Sequence, residues 1–132
     1  LSKYVFMQNT NKENNYIKVL SIEKNNPIID IINGNGKATA IVWPDVGAKE
    51  RSFYLIEIDS KSFTKQLKHP SEAVYYVKNG NGKVFDKKEN TVSEIIQGSM
   101  VHVGAGTTYY FEAGEKGLIL IGGPCPYDPS LI

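Results

Sequence analysis

The chain has a single cysteine, a single arginine and two histidines among its 132 residues. The lone Cys125 excludes an internal disulfide, which fits a reducing compartment, and a cytoplasmic protein is expected. The formal net charge is only +1, so there is no strong electrostatic pull toward nucleic acid or an anionic membrane surface. Lysines spread along loops supply most of the basic charge, and no basic stripe forms. No apolar run is long enough to span a bilayer, and no signal peptide is expected. A sustained helical period with a cap at each end is also missing.

What remains is β-rich. Tyr16 to Leu20, Ala38 to Val42 and Phe53 to Ile58 are rich in β-branched and aromatic residues. Further strand-like runs are Thr64 to Lys68, Ala73 to Lys78, Gly82 to Phe85, Thr91 to Ile96, Met100 to Val103, Thr108 to Glu112 and Leu118 to Ile121. Turn signals separate them at short, fairly even spacing, as in a sandwich or barrel. The length matches one compact domain over 1–132. Residues 1–26 read as a polar, Asn- and Lys-rich N-terminal arm, with Tyr4-Val5-Phe6 and Tyr16 to Leu20 as apolar islands. Residues 38–122 read as the barrel core. Residues 123–132 read as an extended segment over its surface, because three prolines forbid regular helix or a central strand there.

Asn-Gly-Asn-Gly-Lys occurs twice, at Asn33 to Lys37 and at Asn79 to Lys83. Asn and Gly tolerate positive φ, so two hairpin turns are expected. Neither run precedes a helix whose N-terminus could hold a phosphate, which argues against a phosphate-cradling loop.

The stretch from His69 to Gly82 resembles the first signature of the cupins. Gly98 to Tyr109 resembles the second, at the right separation. Taking Gly80 as the motif glycine places Leu67 and His69 at the two His positions of the first signature, and Ala73 at the Glu position. In the second, Gly104 replaces a proline, Tyr109 takes the His position and Ala113 the Asn position. Of the four usual metal ligands, His69 alone survives. The resemblance covers roughly residues 38 to 122. It implies an all-β fold, a cupin-type double-stranded β-helix or jelly-roll barrel, with one pocket between two sheets.

Strand alternation turns Tyr75 and Tyr109 inward with His69. A phenol pair beside an imidazole suits holding a polar molecule or moving a proton. His69 and Tyr109 are therefore the candidate catalytic residues, with Tyr75, Arg51 and Phe111 as candidate substrate contacts. Leu67 and Ala73 are further candidates for the pocket wall. The guanidinium of Arg51 is suited to a carboxylate or phosphate, and a surface pairing with Glu57 is the alternative. If a metal is bound, His69, Glu72 and His102 are its candidate ligands. Parity sends Glu72 to the opposite face from Ala73 unless a bulge intervenes. Cys125 lacks a visible base, and Trp43 either walls the barrel mouth or caps the core.

The resemblance implies a small-molecule-binding cupin, extending to an enzyme acting on a sugar derivative or small organic acid. Its cofactor is none, or a weakly held divalent metal. One alternative is a metal-dependent isomerase, lyase or dioxygenase with unusual ligands. The other is a non-catalytic structural or regulatory subunit. The expected partner is a small-molecule ligand, with neither nucleic acid nor membrane. A homodimer is also expected, because Phe53 to Ile58 and Leu118 to Ile121 are apolar on both faces.

Overall fold

A computed structural model describes residues 17–22 and 26–131. Among these residues nine strands follow one another: β1 (Ile28–Ile29), β2 (Ile32–Asn33), β3 (Gly36–Val42), β4 (Phe53–Ile58), β5 (Phe63–Thr64), β6 (Glu72–Asp86), β7 (Thr91–Ile96), β8 (Met100–Val103) and β9 (Tyr109–Cys125). The only helical pieces among the described residues are short 3-10 turns at Pro44–Val46 and Pro129–Leu131. Every pairing is antiparallel.

The two long strands organise everything else. β6 and β9 pair along nearly their whole length, and both bend near the middle. The first half of β6 and the second half of β9 carry one sheet, in the order β1-β3-β4-β9-β6-β8. The other halves carry a second, in the order β2-β5-β9-β6-β7. The sheet curls into a barrel with one continuous apolar interior. Ile56, Val77, Leu118 and Leu120 come from the first sheet, and Phe111, Ala113 and Ile95 from the second. Strand alternation accounts for this sorting. In β4 the buried residues are Tyr54, Ile56 and Ile58, and their neighbours face outward.

The bend explains the second Asn-Gly-Asn-Gly run, which is not the hairpin turn expected from the sequence. β6 runs straight through it, so the two separate strands expected at 73–78 and 82–85 are one. Register shifts fall between Val77 and Asn79, where Lys78 is the extra residue, and between Gly80 and Gly82, opposite residues 114–117 of β9. Gly80 has φ +85, and a Cβ there would collide with the Gly117 carbonyl oxygen. The glycines let the strand change sheets, with the local twist a bulge supplies. The strands expected at 108–112 and 118–121 likewise fuse into β9. The first Asn-Gly run does make a turn, but it joins β2 to β3, which pair with different neighbours.

Other expectations also change. Residues 17–20 lie outside any strand, and so do residues 65, 66 and 68. Tyr4-Val5-Phe6 and Tyr16 lie outside the described residues. Pro124 sits within β9, opposite Ala73. It is tolerated because β4 pairs β9 only as far as Gly122, which leaves that edge without a ladder to break. The segment after Cys125 does more than lie on the surface. It turns inward and buries Asp128, while Leu131 packs against the core. No helix among the described residues is long and apolar enough to cross a membrane.

Candidate functional site

A chain of four hydrogen-bonded side chains runs through one end of the barrel. Asp128 Oδ2 lies 2.8 Å from His69 Nδ1, and His69 Nε2 lies 2.7 Å from the Tyr109 hydroxyl. That hydroxyl is 2.5 Å from the hydroxyl of Tyr75. All four residues are buried.

Each is positioned by backbone pairing. Leu67 and Tyr109 exchange two backbone hydrogen bonds in an isolated bridge. Two residues on, the His69 carbonyl accepts from the Gly106 N–H at 2.8 Å. His69 thus lies on an irregular segment fastened at both ends. Tyr75 comes from β6, inward by alternation, and Phe111 packs edge-on against both tyrosine rings, at 5.1 Å and 5.8 Å. Asp128 is braced by the backbone N–H and hydroxyl of Ser130, both donating to Oδ1.

The electrostatics fix the direction of the chain. Burial pushes the Asp128 carboxyl upward, but hydrogen bonds from His69 and Ser130 outweigh it, and the group is held below its ordinary value. As a carboxylate it accepts from Nδ1–H. In neutral His69, Nε2 is then the acceptor, and the tautomer is assigned by this bond. With that tautomer Tyr109 donates to Nε2, which leaves its oxygen to accept from Tyr75. Burial pushes the phenols of Tyr75 and Tyr109 well above their usual range.

A cleft of about 410 Å³ opens beside this chain. Its rims are the free edges of β7 and β8, each of which pairs with β6 alone. Val84, Ile95, Val101 and Tyr109 make the deeper wall, and Asp86, Thr91, Ser93 and Thr107 offer polar groups. Tyr109 alone belongs to both features. His69, Tyr75 and Phe111 form the packed layer behind it, so they do not line the cleft as the sequence led us to expect. The same holds for Leu67 and Ala73, which are core residues.

The other candidates fall elsewhere. Arg51 lies outside the strands, with its guanidinium 4.8 Å from the centre of the Phe53 ring on the outer face of β4. It is not near the cleft, because its parity matches the outward Phe53 rather than Tyr54. Glu72 and His102 do meet, with Nε2 3.0 Å from Oε1, but both are largely exposed on the outer face. No bulge turns Glu72 inward, since the register shifts of β6 come after Val77. The trio His69, Glu72 and His102 is therefore not assembled. Cys125 is half-buried with its thiol 3.6 Å from the Glu50 carbonyl, and Trp43 packs against the core.

A metal of the kind the resemblance implies does not fit the donors present. Leu67, Ala73 and Tyr109 occupy three ligand positions, and both ring nitrogens of His69 are engaged by protein partners. Among the described residues no group of three His, Cys, Asp or Glu side chains is placed to hold a metal ion. Asp128 is the functional residue that sequence reasoning missed. A signal existed in a lone acid flanked by prolines, but nothing local shows that the tail folds back onto His69.

No family model and no curated relative matches the sequence. Solved structures do match in fold. An RmlC-like cupin from Shewanella frigidimarina superposes with a TM-score of 0.69 at 19% identity, covering 88% of this chain and 97% of that one. A cupin-like protein from Thermotoga maritima gives 0.67 at 16% identity, over 87% and 85%. The polyketide cyclase RemF from Streptomyces resistomycificus gives 0.69 at 14% identity, over 86% and 82%.

Proposed function

We propose that this chain, whose fold is that of the cupins, binds a small polar molecule in the cleft between β7 and β8. The observation that carries the reading is the double role of Tyr109. Its ring forms part of the cleft wall, while its hydroxyl is the middle link of the Asp128–His69–Tyr109–Tyr75 chain. A wall pinned by a buried hydrogen-bond network is rigid, and rigidity lowers the cost of ordering a site on binding. The volume suits one small ligand, of the sugar-derivative or organic-acid kinds expected from the sequence.

The geometry favours binding over acid-base chemistry at His69. Both of its ring nitrogens are occupied and the residue is only 3% exposed, so a ligand in the cleft does not reach it directly. Proton movement would have to pass through the Tyr109 hydroxyl. Burial disfavours the phenolate that such a route forms.

A metabolite panel screened by thermal shift, followed by Ser93→Trp, tests the reading. Ser93 is exposed on the cleft side of β7, so the indole fills the cleft without disturbing the core. A ligand of the parent should lose at least tenfold in affinity in a variant with an unchanged far-ultraviolet spectrum. Equal binding by parent and variant would place the ligand elsewhere.

The homodimer belongs to the same proposal. Cross-strand register lines up Ile28, Thr39, Leu55, Ile121, Tyr76 and Met100 in one row on the outer face of the first sheet, apolar at every position but Thr39. Ile28 and Met100 are more than half exposed. A second copy covering this row would remove apolar surface from water. A monomer by sedimentation at high micromolar concentration would remove this part.

A further inference from the structure

The charges around the cleft bear on what enters it. Among the described residues, its lining contains no lysine and no arginine. The ionisable groups there are Asp86, Glu94, His102 and the buried phenol of Tyr109. Two of these sit on the outward parity of their strands. Glu94 stands opposite Lys83 across the β6–β7 ladder, on the face away from the interior, and His102 pairs with Glu72. Asp86 is different. It lies opposite Tyr109 and Thr91 in the ladders, so its side chain shares their inward face. Its Oδ1 accepts the Lys88 and Glu89 N–H groups and so caps the turn into β7. Those neutral donors leave the carboxylate its charge.

The rest of the lining is hydroxyl and hydrocarbon. Thr91, Ser93 and Thr107 bring hydroxyls, and Val84, Ile95 and Val101 bring apolar surface. A ligand that matches has hydroxyl edges and an apolar face, which is the surface a pyranose presents. An anionic ligand would lose water and meet a carboxylate with no cation to compensate it.

Resting on the reading of the cleft as a binding site, we infer that its ligand is a neutral or cationic sugar-like molecule, and that carboxylates are excluded by Asp86. The sequence alone leaves sugar derivatives and organic acids side by side. The cleft separates them. Its volume equals that of a sphere about 9 Å across, so any bound carboxylate lies close to Asp86. Like charges about 7 Å apart in a half-wet site disfavour binding on the order of tenfold.

The test uses three matched sets of probes on the full chain. Glucose and galactose are compared with their uronic acids and with their 2-amino sugars, by amide chemical-shift titration. The neutral and amino sugars should move the amides of Thr91, Ser93 and Val101, and the uronic acids should bind on the order of tenfold more weakly. Asp86→Asn keeps the acceptor that caps the turn and deletes only the charge. It should close the roughly tenfold gap between uronate and neutral sugar, with both measured on the same variant. Uronates that bind as tightly as neutral sugars at those amides would overturn the exclusion and leave the cleft standing as a site. A panel in which no sugar moves those amides would overturn the sugar class. If an organic acid from the metabolite screen then binds in a manner lost on Ser93→Trp, the site survives while the sugar class and the charge exclusion have both failed.

Discussion

Tyr109→Phe removes one oxygen atom and disconnects three residues. In the parent that oxygen donates to His69 Nε2 and accepts from Tyr75. The variant keeps the ring, its edge-on packing against Phe111 and the bridge to Leu67. What it leaves behind is a buried imidazole nitrogen without a donor and a buried phenol without an acceptor. Each orphaned group costs about 1–3 kcal/mol, for a total of about 2–6 kcal/mol. That is a large share of the roughly 5–15 kcal/mol by which a domain is stable. At about 3–5 °C per kcal/mol for a domain of this length, Tm should fall by about 6–30 °C. Tyr75→Phe is the control. It leaves Tyr109 still donating to His69, so it should cost only about 1 kcal/mol. In the double variant the phenol that Tyr109→Phe would strand is already gone. The double should therefore cost less than the sum of the singles, by about 1–2 kcal/mol. Urea denaturation of all four proteins measures each corner. Additive losses, or a Tyr109→Phe loss below about 0.5 kcal/mol, would refute the claim that this hydroxyl links the chain.

The same network predicts loss of stability at both ends of the pH scale. Burial holds the phenols of Tyr54, Tyr75 and Tyr109 above their usual value, so above pH about 10 the unfolded chain loses protons that the fold retains. Stability is full below that pH and should fall above it by about 1.4 kcal/mol per pH unit for each such phenol. Free titration of all eight tyrosines near pH 10 in a folded protein, followed by absorbance, would contradict this. Asp128 acts in the opposite sense. Its depressed value contributes stability above pH about 4 that is lost as the pH drops through its folded value, and Asp128→Asn should flatten the acid limb of the stability curve. For metals, millimolar Mn(II), Ni(II) or Zn(II) should move Tm by no more than about 1 °C, since stabilisation vanishes when the concentration stays below Kd. Stoichiometric metal surviving dialysis against a chelator would reverse that expectation.

The fold was legible because it is written locally. Alternation in Phe53 to Ile58 and Met100 to Val103 gives both the strands and their inward faces. The convergence of His69, Tyr75 and Tyr109 follows from that parity together with the two signatures. Two kinds of feature were not legible. Asn-Gly pairs mark positive φ, but a hairpin and a strand-crossing bend both require it. The choice at 79–82 was made by β9, which supplies a partner along both halves of β6. The role of Asp128 depends on a contact 59 residues away in sequence, and its flanking prolines suggest only an irregular backbone. Arg51 misled for a related reason. A lone guanidinium reads as an anion site, yet parity at the start of β4 sends it outward to Phe53.

The barrel's two long strands divide it into a part that must stay fixed and a part that is free to vary. β6 and β9 hold each other, both sheets and the positions of Tyr75 and Tyr109. β7 and β8 hang from β6 by one ladder apiece. Bending either outward breaks no second ladder and leaves the bridge from Leu67 to Tyr109 untouched. Entry to the cleft therefore leaves the β6–β9 ladder intact, and its cost lies in the inward faces of Ile95, Val101 and Val103. Substitutions at the exposed cleft positions Thr91 and Ser93 can reshape what is recognised while the spine that keeps the protein folded remains as it is.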